Sequence, residues 1–447
     1  MSEKILHIDA GDFDRAVLQG DRVVVDFYST ECPPCEALAS KFEALAELYG
    51  DDVRFVKIFR QGNRELAESL GVTSSPTVLF YKQGRRVGEV LTGGIKRARL
   101  AANLNALLPP ERVERIEREV NPVTTTCDVL ILGGGPAGLT AGIYAAQAKL
   151  RTLLVDNKLP GGWVTTTHQV SNYPGFAEPV AGFMLAHLMA EQARAAGVEF
   201  RAAVDVTGVD LHRRTVTVDG LETVKARKII ISTGSSPRPL GVPGELEYQG
   251  KGISYCATCD AKYYQDREVV VVGGGNSAIE ESLFISRFAE TITVVHQFDR
   301  LQAHRSLQEK ALADSRIRFL FEREPREFAR RDGRMLVTME ELRTGRMERL
   351  ETDGVFIFAG TKPNLELFGG LLELDRHGYV KTDRNMRTNI DHVYAVGDIR
   401  SKEFRQITTA VSDGTIAAMS ATRELEPATE LDPAAVQRAG QDEAQSR

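Results

Sequence analysis

Apolar positions in the first hundred residues alternate between strand spacing and helix spacing. "RVVVDFYS" and "DVRFVKIF" are short apolar runs typical of buried strands. Between them, "CEALASKFEALAELYG" predicts an amphipathic helix that ends at Gly50, and "NRELAESLG" predicts a short helix. "PTVLFYKQGRRVGEVL" predicts a hairpin that turns at Gln83 and Gly84, and "KRARLAANLNALL" predicts a closing helix. These patterns indicate an α/β domain over residues 1–108.

The pattern changes twice after this domain. Pro109 and Pro110 end the closing helix, and the charged stretch that follows has no sustained apolar face, so we predict a partly helical linker over residues 109–126. Glycine-rich strand–turn–helix units follow from Cys127 to about residue 425. Residues 426–447 have almost no large apolar side chains, which predicts a disordered tail.

Length and charge narrow the possible functions. A chain of 447 residues is too long for one compact core, so two to four domains are expected. The net charge of -6 gives no reason to expect a nucleic acid or an anionic membrane as partner. No apolar run is long enough for a signal peptide or a membrane span, so we predict a cytoplasmic protein. In that compartment disulfides are usually transient and catalytic.

A first glycine motif lies in "CDVLILGGGPAGLTAGIYAAQAKLRTLLVDN". Gly133, Gly135 and Gly138 fit G-x-G-x-x-G between a strand and a helix, and Asp156 ends the next strand. The helix start offers unpaired N–H groups to a pyrophosphate, and the carboxylate can accept hydrogen bonds from a ribose. The stretch therefore predicts a dinucleotide site.

The motif recurs in "REVVVVGGGNSAIEESLFISRFAETITVVHQF". Gly273, Gly275 and Ala278 make G-x-G-x-x-A, and His296 stands where Asp156 stands in the first unit. Two such units imply two dinucleotides, usually a bound flavin and an exchangeable nicotinamide.

Four of the five cysteines form two C-x-x-C pairs, Cys32/Cys35 and Cys256/Cys259. Such pairs hold zinc or carry electrons. Because each pair lies inside its own module, and Asp260 directly follows the second, we favour redox chemistry and expect no metal site. Cys32 begins a predicted helix, whose positive end favours its thiolate. Cys127 starts an apolar strand and is interpreted as a buried small hydrophobe.

Several motifs together resemble a known family. "GGGPAGLTAGIYAAQAKL", "SYCATCD", "GGGNSAIEES", "YAVGDI" and "RQITTAVSDG" are similar to the low-molecular-weight bacterial thioredoxin reductases. Residues 1–108 resemble thioredoxin, with Asp26 in "VVVDF", the first cysteine pair and Pro76 in "SSPTVLFY". The resemblance implies an α/β fold class: an N-terminal thioredoxin fold followed by two Rossmann-like dinucleotide-binding domains. The FAD domain (127–241 and 366–425) would be interrupted by a nicotinamide domain (242–365).

The resemblance also assigns residues. The FAD contacts would be Gly133, Gly135, Pro136, Ala137, Gly138, Asp156, Gly161, Gly162, Thr165, Thr167, Asn172, Gly397, Asp398, Arg405, Gln406 and Ile407. The nicotinamide contacts would be Gly273, Gly275, Asn276, Ser277, Ala278 and His296. The catalytic residues would be Cys256, Cys259 and Asp260 in the reductase, and Cys32, Cys35, Asp26 and a cis Pro76 in the thioredoxin domain.

The implied activity is an FAD-containing thioredoxin-disulfide reductase. Electrons would pass from NADH or NADPH through FAD and Cys256/Cys259 to Cys32/Cys35 of the fused domain, and then to protein disulfides. The nicotinamide domain would rotate, and the enzyme would be a homodimer. Two alternatives stay open: the client is a peroxiredoxin, as in alkyl hydroperoxide reductase flavoproteins, or the N-terminal domain is a docking or redox-sensing module with another electron donor.

The sequence departs from the family pattern in three places. Glu31 replaces the usual tryptophan before the first cysteine pair and Glu36 follows it, which should disfavour the Cys32 thiolate. "VVHQFDRLQAHR" lacks the arginine pair that holds the 2′-phosphate of NADPH, so NADH is the favoured donor. Trp163, the single tryptophan, stands where the family usually has glutamine beside the flavin.

Overall fold

The computed structural model describes residues 4–167 and 169–425, so the predicted tail lies outside the described residues. The helices are α1 Pro33–Tyr49, α2 Arg64–Ser69, α3 Arg97–Leu107, α4 Pro110–Glu119, α5 Pro136–Gln147, α6 Gly182–Ala196, α7 Ala257–Asp260, α8 Asn276–Ile285, α9 Arg305–Ala313 and α10 Ile407–Leu425. The strands of the N-terminal unit are β1 Ile5–Ile8, β2 Arg22–Tyr28, β3 Arg54–Phe59, β4 Thr77–Lys82 and β5 Arg85–Thr92. The next strands are β6 Val123–Leu132, β7 Thr152–Val155, β8 Glu199–Arg201, β9 Val206–Asp210, β10 Thr215–Val218, β11 Glu222–Ile231, β12 Ser235–Pro237 and β13 Ile253–Ser254. The remaining strands are β14 Glu268–Val272, β15 Thr291–His296, β16 Ile317–Phe321, β17 Arg323–Arg331, β18 Arg334–Glu341, β19 Arg346–Thr352, β20 Gly354–Ile357, β21 Thr361–Pro363 and β22 Val393–Ala395.

The N-terminal unit is a five-stranded mixed sheet in the order β1-β3-β2-β4-β5. The predicted helix over α1 is confirmed, and Gly50 follows its last residue. The predicted hairpin is also confirmed, because β4 and β5 pair antiparallel around Gln83 and Gly84, both with positive φ. Apolar clusters cover both faces of the sheet, one around Phe42 and Phe55 and the other around Phe27.

A second sheet has the order β8-β7-β6-β11-β10-β9, with β22 also paired to β11. β6, β7, β8 and β22 run parallel to their neighbours, as strand–helix–strand connections require. Helices α5, α6 and α10 cover one face with small residues such as Ala141 and Ala417. We call this sheet and its helices the first Rossmann unit.

The second Rossmann unit is a parallel sheet in the order β13-β20-β14-β15-β16, joined by the antiparallel sheet β17-β18-β19. It has its own two apolar clusters, which contain Ile279 on one face and Val337 on the other. Strands β12 and β21 pair antiparallel where the chain crosses between the two Rossmann units. The predicted α/β fold class is therefore confirmed.

The segment between the N-terminal unit and the first Rossmann unit is more ordered than its charge suggests. Helix α4 buries Ile116 in the core of the N-terminal unit, and Arg112 Nε lies 2.6 Å from Asp52 Oδ2. Strand β6 then begins at Val123, so only residues 120–122 lie between this helix and the next sheet. No helix in the described part of the chain is long and apolar enough to cross a bilayer.

Candidate active site

The first glycine turn connects β6 to α5. Gly133 has φ +106°, and a side chain there would collide with the Ser232 carbonyl, so glycine is required. The Gly134 N–H donates to Asp156 Oδ2 at 2.6 Å, which ties the turn to the end of β7. Gly135 is the residue before α5, followed by Pro136 and Ala137 at the helix start. The turn therefore brings backbone N–H groups and a carboxylate to one edge of the sheet, where a dinucleotide can bind.

A second loop closes over this turn. The Gly161 N–H donates to the Gly134 carbonyl at 2.7 Å, and Thr165 Oγ1 donates to the Gly162 carbonyl at 2.8 Å. A Cβ at Gly162 would lie 2.8 Å from Gly135 Cα. This close approach of two backbones forms a narrow cradle that a side chain would fill.

Residues from the C-terminal part of the chain complete the same edge. The Gly397 N–H donates to Asp413 Oδ2 at 3.1 Å, and this places Asp398 at the start of a short helical turn. Asp398 Oδ1 is buried and makes no hydrogen bond to a described residue, although Lys402 Nζ forms an ion pair with it at 3.6 Å. Burial raises the pKa of this carboxyl group, and Lys402 acts in the opposite direction. A buried acceptor with no hydrogen bond within the chain can accept one from a hydroxyl group of a ligand.

The segment before α10 lies against the loop after residue 167. Asn172 Nδ2 donates to Gln406 Oε1 at 3.1 Å. The Arg405 guanidinium stacks 3.7 Å above the Tyr379 ring, and Ile407 begins α10. Residues more than 230 positions apart in sequence thus meet at one edge of the first Rossmann unit.

The second glycine turn connects β14 to α8. Gly273 has φ +133° and its backbone approaches the Phe358 carbonyl. Asn276 Oδ1 accepts from the His304 N–H at 2.7 Å, and the Gln302 N–H donates to the Gly274 carbonyl at 2.8 Å. Ser277 is exposed on the first turn of α8, whereas Ala278 is buried. The geometry matches that of the first turn, without a carboxylate.

His296 occupies the position of that carboxylate. It is 5 % exposed, and its imidazole contacts Gly274 so closely that a side chain at Gly274 would collide with it. Its Nε2 atom makes no hydrogen bond to a described residue, and burial lowers its pKa. The Phe298 ring packs edge-on at 5.3 Å. A buried imidazole and a phenyl ring therefore stand where the first turn has its carboxylate.

Both C-x-x-C pairs are disulfide-bonded, and both have the same local geometry. Cys32 caps the start of α1 and Cys256 caps the start of α7. In each pair the second cysteine donates its backbone N–H to the first sulfur at 3.2 Å. A sulfur in this position is stabilised as a thiolate by the helix start.

The two pairs have different surroundings. Cys256 Sγ lies 3.8 Å from the Thr166 carbonyl, in the loop that closes over the first glycine turn, whereas Cys259 is exposed. Cys32 Sγ lies 3.5 Å from the Ser75 carbonyl, and the Ser75–Pro76 peptide bond is cis. Cys256 therefore faces the first dinucleotide site.

Asp26 is the most buried acid of the N-terminal unit. It is 1 % exposed, and Lys57 Nζ lies 3.8 Å from its carboxylate. Burial raises the pKa of Asp26 to about 7, although the nearby Lys57 acts in the opposite direction. This carboxyl group can therefore give or take a proton near neutral pH.

Two comparisons with known proteins now decide the family. Residues 127–414 match the family of pyridine nucleotide-disulphide oxidoreductases, and residues 4–106 match thioredoxin. The thioredoxin reductase of Peptoclostridium acidaminophilum is 41% identical over 307 residues, which is 67% of this chain and 97% of that protein. The thioredoxin reductase of Bacillus subtilis is 40% identical, over 67% of this chain and 95% of that protein.

The chain belongs to the thioredoxin reductases. A solved thioredoxin reductase of Lactococcus lactis, in its FR conformation, matches with a TM-score of 0.64 and 39% identity, over 66% of this chain and 98% of that one. The T. acidophilum thioredoxin reductase matches with a TM-score of 0.63 and 32% identity, over 67% of this chain and 99% of that one. The chain is thus an FAD-type thioredoxin-disulfide reductase with a thioredoxin domain in front of it.

The family implies FAD and a nicotinamide cofactor, and the residues present fit FAD. A Cβ would fill the glycine cradle, Asp156 lies at the end of β7, and Asp398 Oδ1 makes no hydrogen bond to a described residue. Among the described residues, no group of three or more His, Cys, Asp or Glu side chains is placed to hold a metal ion.

Sequence reasoning missed two features around the cysteines. Glu245 is 1 % exposed and accepts from the backbone of Leu240 and Gly241 at 2.9 and 2.7 Å. It also accepts from the hydroxyl of Tyr255 at 2.5 Å, next to Cys256. This carboxylate ties the crossing between the Rossmann units to the cysteine pair, and no local pattern signals it.

The second missed feature concerns Glu36, which lies 3.6 Å from Arg194 of α6. The ion pair offsets the negative charge that the sequence places beside Cys35. Glu31 is exposed and has φ +52°. Trp163 is half exposed on the loop above the first glycine turn. Cys127 is buried, and burial raises the pKa of its thiol to about 12, which makes it a poor nucleophile.

Proposed function

We propose that this enzyme passes electrons from a nicotinamide donor, through FAD and Cys256/Cys259, to Cys32/Cys35 of its own thioredoxin domain, and from there to protein disulfides. The observation that carries the proposal is the matching geometry of the two pairs. Both begin a helix, and the pair in the reductase lies against the FAD-side loop. FAD, when bound, would accept a hydride and release two electrons to the neighbouring disulfide.

The transfer between the pairs is a thiol–disulfide exchange. After reduction, one thiolate of the Cys256/Cys259 pair attacks Cys32, and Cys35 leaves as a thiolate that takes up a proton. The second thiol of the reductase pair then attacks its partner, so its disulfide reforms and Cys32 leaves reduced. Asp26 and Asp260 would supply and accept the protons, since Asp26 titrates near neutral pH and Asp260 directly follows Cys259.

A double variant tests the role of the thioredoxin domain. Cys32→Ser/Cys35→Ser should abolish reduction of insulin disulfides while leaving flavin reduction by the donor unchanged. Cys127→Ala is the matched control, because that cysteine is buried and belongs to neither pair. Unchanged insulin reduction would show that the N-terminal domain only docks or senses. Activity restricted to an added peroxiredoxin would identify a dedicated shuttle. We further propose a cytoplasmic homodimer, as the family resemblance implies.

We propose NADH as the preferred donor. Recognition of the 2′-phosphate of NADPH needs cations, but His296 is buried with a lowered pKa and Phe298 packs beside it. Arg305 Nε lies 2.9 Å from Glu309, which competes for its charge. Stopped-flow flavin reduction should therefore saturate at lower concentrations of NADH than of NADPH. The reverse order would reject this preference, and no bleaching by either would reject a nicotinamide donor.

A further inference from the structure

The thioredoxin domain contacts the first Rossmann unit through a buried lysine. Lys41 of α1 is 8 % exposed, and its ammonium group donates to three backbone carbonyls. Ile95, in its own domain, accepts at 3.1 Å, whereas Ala202 and Ala203 of the Rossmann unit accept at 2.7 and 2.8 Å. A lysine has three N–H donors, so all of them are used. Lys41 therefore bridges the two units.

The surrounding residues strengthen this bridge. Burial lowers the pKa of Lys41 to about 8, whereas Asp219 and Asp205 of the Rossmann unit act in the opposite direction. Lys96 Nζ lies 2.5 Å from Asp205 Oδ1. Cations of the thioredoxin domain thus meet acids of the Rossmann unit. Since Lys41 remains charged at neutral pH, losing its carbonyl partners without gaining water would be costly. We call the contacts of Lys41 and Lys96 with the first Rossmann unit the dock.

The dock holds the two cysteine pairs apart. Glu36, next to Cys35, pairs with Arg194 near the end of α6. Cys256 instead lies on Thr166, in the loop whose Thr167 carbonyl accepts from Gly182 at the start of α6. From Gly182 to Arg194 the helix advances about 18 Å. The two pairs therefore lie near opposite ends of α6, whereas exchanging sulfurs must approach to about 2 Å.

The short segment between the thioredoxin domain and the first Rossmann unit allows the thioredoxin domain to leave the dock. Helix α4 packs on the thioredoxin domain through Ile116, so residues 120–122 form the pivot. A unit of about 100 residues has a radius of gyration near 13 Å, and a rotation about one end moves its far edge by a comparable distance or more. Such a rotation can carry Cys32 away from α6.

We propose that the Lys41 dock holds the thioredoxin domain in a waiting position, and that its release precedes electron transfer from Cys256/Cys259 to Cys32/Cys35. The occupant of this surface is the thioredoxin domain of the same chain. This inference rests on the proposed function, since release from the dock is assigned to the step that transfers electrons between the two cysteine pairs.

A single substitution tests the proposal in the full-length holoenzyme. Lys41→Met keeps most of the side-chain volume but removes all three hydrogen bonds, so insulin reduction should become severalfold faster. Lys82→Met, at an exposed lysine of the same domain, should leave it unchanged. Flavin reduction by the donor should be unaffected in both. Slower or unchanged insulin reduction by a folded Lys41→Met enzyme would overturn the proposal.

A second variant locks the dock. A Cβ at Gly94 would lie 3.5 Å from Ala203 Cβ, within the range of disulfides. Gly94→Cys/Ala203→Cys should therefore cross-link with oxidised glutathione, and insulin reduction should fall at least tenfold relative to either single variant. Full activity of the locked enzyme would show that the docked position is productive, and failure to cross-link would show that it is not populated. Both results overturn the proposal. If electron transfer through the thioredoxin domain were itself wrong, the Cys32→Ser/Cys35→Ser variant would retain insulin reduction. Failure of the proposed function is therefore distinguishable from failure of the dock proposal.

Discussion

At the scale of single residues, Asp26 combines a functional role with a cost to stability. Its carboxyl group has a pKa of about 7 in the folded protein, against an ordinary value of 3.8. Well below pH 3.8 it is protonated in both the folded and the unfolded chain, so it does not change the free energy of unfolding. As the pH rises to 7, the unfolded chain loses its proton first, and the folded state becomes relatively less stable. Three pK units correspond to roughly 4 kcal/mol.

Asp26→Asn should therefore stabilise the thioredoxin domain in a pH-dependent manner. The gain in free energy of unfolding should be smallest near pH 4, grow to a few kcal/mol by pH 7 and stay constant above, with Lys57 reducing it because the lysine loses its partner. Hydrogen exchange of the β2 amides in the full-length chain measures this free energy. Asp14→Asn, at an exposed acid of the same domain, is the control. A gain independent of pH would show that Asp26 has the same pKa in the folded and unfolded chains.

At the scale of elements, the loop from Gly161 to Thr165 approaches the first glycine turn because glycines stand on both sides of the contact. Gly162→Ala should separate them, since the added carbon would lie 2.8 Å from Gly135 Cα. We expect FAD retention to fall severalfold, measured as flavin absorbance per protein after gel filtration.

Gly220→Ala is the control for backbone strain. Gly220 has φ +70° and Gly162 has φ +62°, but a Cβ at Gly220 meets nothing within 4 Å. Both variants therefore have a similar conformational cost, and only Gly162→Ala places a side chain against the Gly135 backbone. Equal loss of flavin from the two variants would contradict a role in FAD binding for the close approach of Gly162 to Gly135.

The elements also show what the sequence can predict. The helix over α1 and the β4–β5 hairpin follow from local periodicity and turn residues, so both were predictable. Helix α4 was harder to predict, because its charged sequence buries a single large apolar residue, Ile116. Lys41 left a faint signal: it lies between Leu38 and Phe42 on the buried face of α1, where a lysine needs partners. Its partners come from another domain, and no local pattern identifies them.

At the scale of the whole molecule, the candidate site is assembled from segments that the sequence keeps far apart. The motifs predicted each glycine turn and each cysteine pair separately. The meeting of Asn172 with Gln406, and of Glu36 with Arg194, depends on how the units pack, which motif spacing does not encode. Electron transfer between the two cysteine pairs also belongs to this scale, because we propose that the thioredoxin domain must first leave the dock.

A disulfide trapped between Cys32 and one cysteine of the reductase pair would measure that movement. In Cys35→Ser/Cys256→Ser the remaining thiols are Cys32, the exposed Cys259 and buried Cys127. Because access decides which sulfur reacts, oxidised glutathione should join Cys32 to Cys259. In Cys35→Ser/Cys259→Ser the remaining Cys256 faces Thr166, so joining should be at least fivefold slower.

Electrophoresis without reductant separates the products of this trap. A chain of monomer mobility that peptide mapping shows to contain the Cys32–Cys259 bond identifies transfer within one subunit, and a linked dimer identifies transfer between subunits. Adding Lys41→Met to the first variant should accelerate the trap, because the thioredoxin domain no longer has to leave the dock. Equal rates for the Cys259 and Cys256 traps would show that the greater exposure of Cys259 does not decide which sulfur reacts with Cys32.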